Sequence, residues 1–159
     1  DMNIFFIDKC PIKSAQQLCD KHVVKMVLET AQMCSTAMHE WGFARHLKHV
    51  YKVAYKNHPM TVWVRDNQHN LAWAVTHGIE IGREYTRRYG KVHKSTKVLE
   101  EMDDGWVHDD YDTHTTPPQC MPDQFKCDDY VEAYRNYYRT DKAHILQWTG
   151  RPVPEWIGA

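Results

Sequence analysis

The sequence lacks the features that would place it in several common classes of protein. No hydrophobic run approaches the ~20 residues that cross a bilayer, and residues 2–8 lack the basic flank and the length of a signal peptide. The five cysteines are odd in number and form no CxxC pair, which argues against a disulfide framework and a standard zinc site. GxGxxG, Walker, GxSxG and HExxH motifs are absent. We therefore expect a cytoplasmic protein with no membrane association, no metal and no cofactor.

What is present is sufficient for a folded core. The chain has 159 residues, of which 42% are hydrophobic and 12% aromatic, so we expect one domain over residues 1–159. The formal net charge is −1, but seven of the 21 acidic residues lie in residues 100–112, which contain no Lys or Arg. The rest of the chain therefore carries a formal charge of +6, which suits a nucleic-acid partner. The acidic segment is interpreted as a solvated loop, with a lid over the basic face or a magnesium site as alternatives.

The spacing of apolar residues predicts an all-α fold with three to four main helices. The predicted helical segments are about 14–41, 44–56, 59–89 and 128–148, with a short helical stretch near 97–102. Ser14 and Gln17 have capping-box spacing, Pro59 suits a first helical turn, and Gly90 is a typical helix stop. Acidic and Pro-rich sequence at about 103–127 predicts a long irregular loop before the last helix. No stretch shows the sustained alternation of a strand.

Four polar residues form a narrow stripe on the first predicted helix. His22, Lys25, Glu29 and Gln32 fall within roughly a quarter of the helix circumference at ~100° per residue. The stripe fits either a solvent-facing seam with a Lys25–Glu29 pair, or the floor of an active site. The other directions of the helix are predicted to be core, through Val23, Val24, Met26, Val27, Leu28, Ala31, Met33 and Cys34.

Amine and carboxylate chemistry is what such a stripe could perform. A neutral amine can attack C1′ of a nucleoside sugar when a carboxylate handles the protons. The candidate amines are Lys25 and an α-amine at Met2. An α-amine has an ordinary pKa of ~7.7–8, whereas a lysine at ~10.4 needs its pKa lowered by burial.

Aromatic rings and cations alternate on the last predicted helix, which carries Tyr134, Arg135, Tyr137, Tyr138, Arg139 and, beyond them, Lys142. Cations neutralise phosphates and rings stack on bases, so this pattern fits a nucleic-acid surface. It also fits half-buried packing residues, and both interpretations stay open. The third predicted helix ends in a second basic group, Arg83, Arg87 and Arg88.

Three stretches resemble the phage-type pyrimidine dimer DNA glycosylases, the small endonuclease V type. Leu18-Cys19-Asp20-Lys21-His22, with Glu29 seven residues after the histidine, is similar to the first-helix signature of that family. Residues 79–90 are similar to the end of its central helix, and residues 134–143 to its aromatic, basic C-terminal segment. The resemblance implies a compact helical enzyme that flips a nucleotide at a lesion, cuts the glycosidic bond and nicks the backbone by β-elimination. It further implies Glu29 as the acid/base and His22 as an orienting or DNA-contacting residue.

We therefore predict a monomeric DNA repair enzyme, a glycosylase/AP lyase, acting on double-stranded DNA with a damaged or modified pyrimidine. The predicted catalytic residues are Glu29, His22, Lys25 and Met2. The predicted DNA-contacting residues are Lys21, Arg83, Arg87, Arg88, Tyr134, Arg135, Tyr137, Tyr138, Arg139 and Lys142. Two alternatives stay open: a transferase that modifies a DNA base on the same scaffold, and a non-enzymatic binding module whose acidic loop mimics DNA.

Overall fold

The computed structural model describes residues 2–103 and 113–158, and every regular element in these two ranges is a helix. This confirms the all-α prediction. Most of the predicted acidic segment, including Asp104, Asp109 and Asp110, lies outside the described residues. The helices are α1 (Pro11–Gln17), α2 (Asp20–Glu40), α3 (Pro59–Asp66), α4 (Gln68–Tyr89), α5 (Thr96–Met102) and α6 (Tyr130–Thr140). Short 3₁₀ turns occupy Ala44–His46, Asp123–Phe125, Ala143–Ile145 and Glu155–Gly158. Within the described ranges, no helix has the length and apolar character needed to cross a membrane.

The first predicted helix is two helices, because distant residues hold the chain extended at Leu18 and Cys19. The Cys19 backbone N–H donates to the Tyr138 hydroxyl at 3.1 Å, and the Leu18 carbonyl accepts from Arg88 at 2.8 Å. These partners replace the hydrogen bonds that a continuous helix would supply. The predicted capping box is also wrong, since α1 begins at Pro11 and the Ser14 hydroxyl donates to the Phe5 carbonyl instead.

The predicted helix at 44–56 is a single 3₁₀ turn followed by irregular chain. Its backbone groups bind side chains of other helices: the Tyr51 N–H donates to Ser35 Oγ, and Ala54 exchanges two hydrogen bonds with Thr36 Oγ1. The backbone N–H groups of Lys48 and His49 both donate to the Glu101 carboxylate. Because these tertiary contacts satisfy the backbone, the segment has no need of helical hydrogen bonds.

The third predicted helix is divided between α3 and α4 at Asn67, whose side chain caps α4 by accepting from the N–H groups of His69 and Asn70. The two predicted ends are correct, with Pro59 in the first turn of α3 and Gly90 after α4 at φ +69°. The last helix is shorter than predicted, because α6 ends at Thr140.

An extended N-terminal stretch lies inside the helical assembly and positions the site. Residues 2–7 are all buried, and the Phe6 ring stacks on Trp73 with a centroid distance of 4.3 Å. The Phe5 ring stacks on His22 of α2 at 4.2 Å. Burial of each large apolar side chain contributes about 1.5–3 kcal/mol, so this stretch is held as firmly as a core helix. It brings the backbone of Asn3 against α2.

Candidate active site

Glu29 of α2 has a buried carboxylate, with 8% of its side chain exposed. The backbone N–H of Asn3 donates to its Oε1 at 3.2 Å, and Lys25 Nζ lies 3.4 Å from its Oε2. Burial raises the pKa of Glu29, and the Lys25 ammonium and the Asn3 N–H offset this in part. A carboxyl group with a raised pKa keeps a larger fraction of its protonated form at a given pH, and the protonated form is the one that acts as a general acid.

The polar stripe is therefore not a uniform solvent seam. His22 and Glu29 are buried, Gln32 is half-buried and Lys25 is exposed over 53% of its side chain. The exposed face of α2 instead carries Val24 and Leu28, beside Lys21 and Lys25. The prediction that these two apolar residues belong to the core was wrong.

His22 is a buried, uncharged histidine. Its ring stacks on Phe5, and its Nδ1 lies 2.7 Å from the Tyr138 hydroxyl oxygen. Burial lowers the pKa of His22 to about 3, and the positive charges of Lys142 and Lys25 lower it further in the same direction. His22 is therefore neutral at any physiological pH and can offer one N–H donor and one acceptor nitrogen.

A second amine, Lys142, lies on the same side of the molecule as Lys25. Its Nζ lies 4.9 Å from the centroid of the Tyr137 ring and 6.0 Å from that of Phe5, both cation–π contacts. Lys21 lines a cavity of about 270 Å³ together with residues 143–147, directly after Lys142. The structure thus brings four predicted residues to the neighbourhood of His22, namely Lys21, Lys25, Tyr137 and Lys142.

A cavity of about 480 Å³ opens beside this group, lined by Met2, Asn3, Tyr55, His58, Cys120 and Tyr137. Asn3 connects the cavity to the carboxylate, because its backbone N–H donates to Glu29. Tyr55 is an exposed aromatic residue with φ +52°, the one non-glycine residue with a positive φ in the described ranges. Strained backbone of this kind occurs often at functional sites. The sequence analysis missed Asn3, Tyr55, His58 and Cys120, since no local pattern marks any of them.

Arg88 corrects the predicted DNA surface. Its side chain is 0% exposed, and its Nε and Nη1 lie 2.8 Å and 3.0 Å from carboxylate oxygens of Glu84 and Asp20. It also donates to the carbonyls of Leu18 and Gln16. Arg88 is therefore part of the core in this structure, and its position gives no support to the predicted contact with DNA. The i,i+4 spacing from Glu84 was a signal for this pairing in the sequence.

Tyr134 and Tyr138 are also corrected, because both are fully buried. The Tyr134 hydroxyl donates to the Pro118 carbonyl at 2.8 Å and accepts from the Cys120 N–H at 3.1 Å. Their rings face the core, since α6 packs that side against the N-terminal stretch.

The remaining predicted arginines are partly or fully exposed but already have partners. Arg135 donates to the Ile7 carbonyl and lies over the Trp156 ring, and Arg139 binds Glu132 and the Trp156 carbonyl. Arg87 lies within 3.4 Å of the Gly150 carbonyl, and Arg83 pairs with Glu80. Their contacts with DNA stay predictions.

The part of the chain that holds the candidate catalytic residues also matches a known protein family. A family model described as pyrimidine dimer DNA glycosylase matches residues 2–98, which contain Glu29, His22, Lys25 and most of the cavity. No curated protein and no solved structure matches the chain. Among the described residues, no three His, Cys, Asp or Glu side chains gather in the arrangement of a metal site.

Proposed function

Since the chain belongs to the pyrimidine dimer DNA glycosylase family, we propose that it repairs DNA by excising a pyrimidine lesion through Glu29 and a neighbouring amine. The buried Glu29 carboxyl group, with its raised pKa and an amine 3.4 Å away, is the observation that carries this function. Neither the family match nor the described structure favours a base-modifying transferase or a non-enzymatic DNA mimic. A monomeric state and a cytoplasmic location stay predictions.

The chemistry divides between two groups. Attack of a neutral amine on C1′ forms a nitrogen–carbon bond as the glycosidic bond breaks, and the bonding electron pair leaves with the base, which takes up one of the two amine protons. Protonated Glu29 supplies a proton to the opening sugar ring. The resulting Schiff base acidifies C2′, and loss of that proton expels the 3′ phosphate by β-elimination. Glu29, ionised after the first step, is the group that accepts it.

Two nitrogens are candidates for the nucleophile, namely Lys25 Nζ and the nitrogen of Met2. Lys25 Nζ lies 3.4 Å from Oε2 of Glu29. Because the pKa of Glu29 is raised, this contact places an amine directly beside a group that can act as an acid. The nitrogen of Met2 is an α-amine only in a chain that begins there, and it precedes the Asn3 N–H that donates to Glu29. Lys25 contacts Oε2 of the carboxyl group, whereas the residue that follows Met2 contacts Oε1.

The cavity beside Glu29 is the proposed place for an extrahelical nucleotide. An enzyme that attacks C1′ within a duplex must unstack the target or its partner, and flipped bases are held by aromatic stacking. Tyr55 and Tyr137 supply two rings at this cavity, and its volume of about 480 Å³ lies in the range of small-molecule sites. Asn3 lies between the cavity and the acid.

The proposed DNA surface is the exposed face of α2 with the segments on either side of it. His93 Nε2 lies 3.1 Å from the Val24 carbonyl, which fixes the loop after α4 against α2. That loop presents Lys91 and Lys94 around Val92, which is 79% exposed, and residues 90–97 contain no acidic side chain. With Lys21, Lys25 and Lys142, these lysines surround a small apolar area, an arrangement suited to phosphates flanking a groove.

Exchanging Lys91 and Lys94 for glutamine should weaken DNA binding in a salt-dependent way. Each lost phosphate contact lowers the slope of log K against log salt by about 0.9, so the double variant should lose about 1.8. Fluorescence anisotropy with a duplex at several salt concentrations measures the slope. The matched control is Lys9→Gln with Lys13→Gln, which removes the same charge from exposed positions near α1 and should leave the slope unchanged. Equal losses in both double variants would contradict a localised surface.

Borohydride trapping tests the proposed function itself. With a duplex that contains one cyclobutane pyrimidine dimer, or one abasic site, the protein should form a reduced covalent adduct. Proteolysis and mass spectrometry of the adduct should place the DNA remnant on Lys25 or on the Met2 nitrogen in a chain that begins at Met2. The Lys25→Gln variant separates these two, since it should abolish trapping only if Lys25 is the nucleophile. Absence of an adduct and of strand cleavage on both duplexes would refute the glycosylase/lyase assignment.

A further inference from the structure

We infer that Tyr138 is a positioning residue that fixes His22 in the tautomer with its proton on Nε2, so that His22 serves DNA as a hydrogen-bond donor. The inference rests on the proposed function for its consequence, but the tautomer itself is a property of the folded chain. Neither the sequence pattern nor the family match assigns a role to the buried hydroxyl of Tyr138.

The hydrogen bonds around the Tyr138 hydroxyl determine where its proton goes. The oxygen accepts the Cys19 backbone N–H at 3.1 Å, which leaves its own proton for either His22 Nδ1 at 2.7 Å or Cys19 Sγ at 3.4 Å. Imidazole nitrogen is a strong acceptor and a thiol sulfur a weak one, and 2.7 Å is an ideal distance for an O–H donor. The Tyr138 hydroxyl therefore donates to Nδ1, and the single proton of the neutral ring lies on Nε2.

The surroundings keep this arrangement in one protonation state. The titratable groups that face His22 are Cys19, Lys25, Tyr138 and Lys142. Burial raises the pKa of Cys19 and of Tyr138 above their usual values, so both stay neutral. Burial and the two ammonium groups hold the pKa of His22 at about 3. Cys19, His22 and Tyr138 therefore all stay uncharged in the physiological range.

The Nε2–H is the group of His22 that remains for a ligand. Nε2 makes no hydrogen bond within the described part of the chain, whereas Nδ1 is occupied by Tyr138. Phe5 holds the ring plane by stacking, and the positive charges of Lys25 and Lys142 lie close enough to act on the ring. An N–H donor that has two ammonium groups in its neighbourhood fits a phosphodiester oxygen. Because the tautomer is already fixed, the ring needs no proton rearrangement to offer this donor.

Nitrogen NMR of the free protein tests the tautomer directly. In protein labelled with ¹⁵N-histidine, His22 Nδ1 should show the downfield shift of an unprotonated acceptor and Nε2 the upfield shift of an N–H nitrogen. Both shifts should stay constant from about pH 5 to about pH 8, whereas an ordinary histidine titrates in that interval. A proton on Nδ1, or titration of His22 in that interval, would overturn the inference.

Tyr138→Phe tests the consequence for the reaction. Without the hydroxyl, Nδ1 loses its donor, so the NMR should show a mixture of tautomers. Because the hydrogen bond from Nε2 to a charged phosphate is then weakened, kcat/KM on the dimer duplex should fall about tenfold or more. Tyr134→Phe is the matched control, since it also removes a buried hydroxyl from α6 and should leave the His22 shifts unchanged. A Tyr138→Phe protein with wild-type shifts and wild-type kcat/KM would overturn the positioning role.

The two proposals can fail separately. If the wild-type spectrum shows the Nε2–H tautomer and no duplex is cleaved or trapped, the glycosylase function fails while the tautomer assignment stands. If cleavage is normal and the spectrum shows Nδ1–H, the function stands and the role of Tyr138 fails. Since the wild-type spectrum needs no variant, a Tyr138→Phe protein that does not fold leaves the test intact.

Discussion

Glu29→Gln should lower kcat/KM on a dimer-containing duplex by about 10²–10⁴-fold, the usual contribution of a general acid or base. The amide keeps the size of the side chain and an oxygen to accept the Asn3 N–H, but it cannot transfer a proton. Because burial raises the pKa of Glu29, its ionised form is less stable in the folded state than in the unfolded chain. The variant should therefore have an unchanged or higher melting temperature. Single-turnover cleavage and thermal unfolding measure the two effects.

The control for this experiment is a second buried glutamate with the opposite electrostatics. Burial opposes ionisation of Glu84, but hydrogen bonds from Arg151 and Arg88 outweigh it and lower its pKa. Glu84→Gln should therefore destabilise the fold at neutral pH while activity well below the melting temperature is retained. The stabilising effect of ionised Glu84 is present above the pKa of the unfolded chain and is lost as the pH falls through the folded pKa. A Glu29→Gln enzyme with normal turnover would remove Glu29 from the mechanism.

The part of the site that lies on one helix could be predicted from the sequence. His22, Lys25 and Glu29 are spaced at three and four residues, so helix geometry alone brings them to one side of α2. Local signals also gave the start of α3 at Pro59 and the end of α4 at Gly90. Each of these features depends on residues less than two helical turns apart, which is the range over which sequence patterns are informative.

The remainder of the site depends on contacts between distant parts of the chain. The break between α1 and α2 is caused by Tyr138, 119 residues after Cys19. The cavity joins Met2 and Asn3 to Cys120 and Tyr137, two pairs of residues that more than a hundred positions separate in the sequence. No periodicity in the sequence encodes such pairs. These residues become neighbours only in the folded chain, where the N-terminal stretch lies between α2 and α6.

The same limit explains the error at Arg88. A cluster of three arginines at the end of a helix indicates a basic surface, but only two of them point outward. Arg88 lies on the α4 face that packs toward α1, where carboxylates from two helices and two carbonyls surround its guanidinium. Whether a cation is a ligand contact or a core residue is decided by these partners and not by the cation itself.

Arg88→Met should lower the free energy of unfolding by about 3–5 kcal/mol, because it removes the buried cation that pairs with the buried Glu84 carboxylate and the partly buried Asp20 carboxylate. Glu84 would keep its ion pair with Arg151, and Asp20 would keep its hydrogen bond from Thr149. Neither carboxylate would therefore be left without a partner. Urea denaturation measures the change. The control is Arg83→Met, whose side chain is 71% exposed and pairs with Glu80 on the surface. That variant should lose no more than about 1 kcal/mol.

DNA binding by the same variant separates a core role from a surface role. If Arg88 is internal, folded Arg88→Met protein should bind a duplex with the wild-type slope of log K against log salt. A phosphate contact would instead reduce that slope by about 0.9 with little effect on unfolding. A core role therefore lowers the free energy of unfolding and leaves the salt slope unchanged, whereas a phosphate contact lowers the slope and leaves the free energy of unfolding nearly unchanged. A stable Arg88→Met protein with a reduced slope would restore the sequence prediction and would show that the ion pairs with Glu84 and Asp20 open when DNA binds.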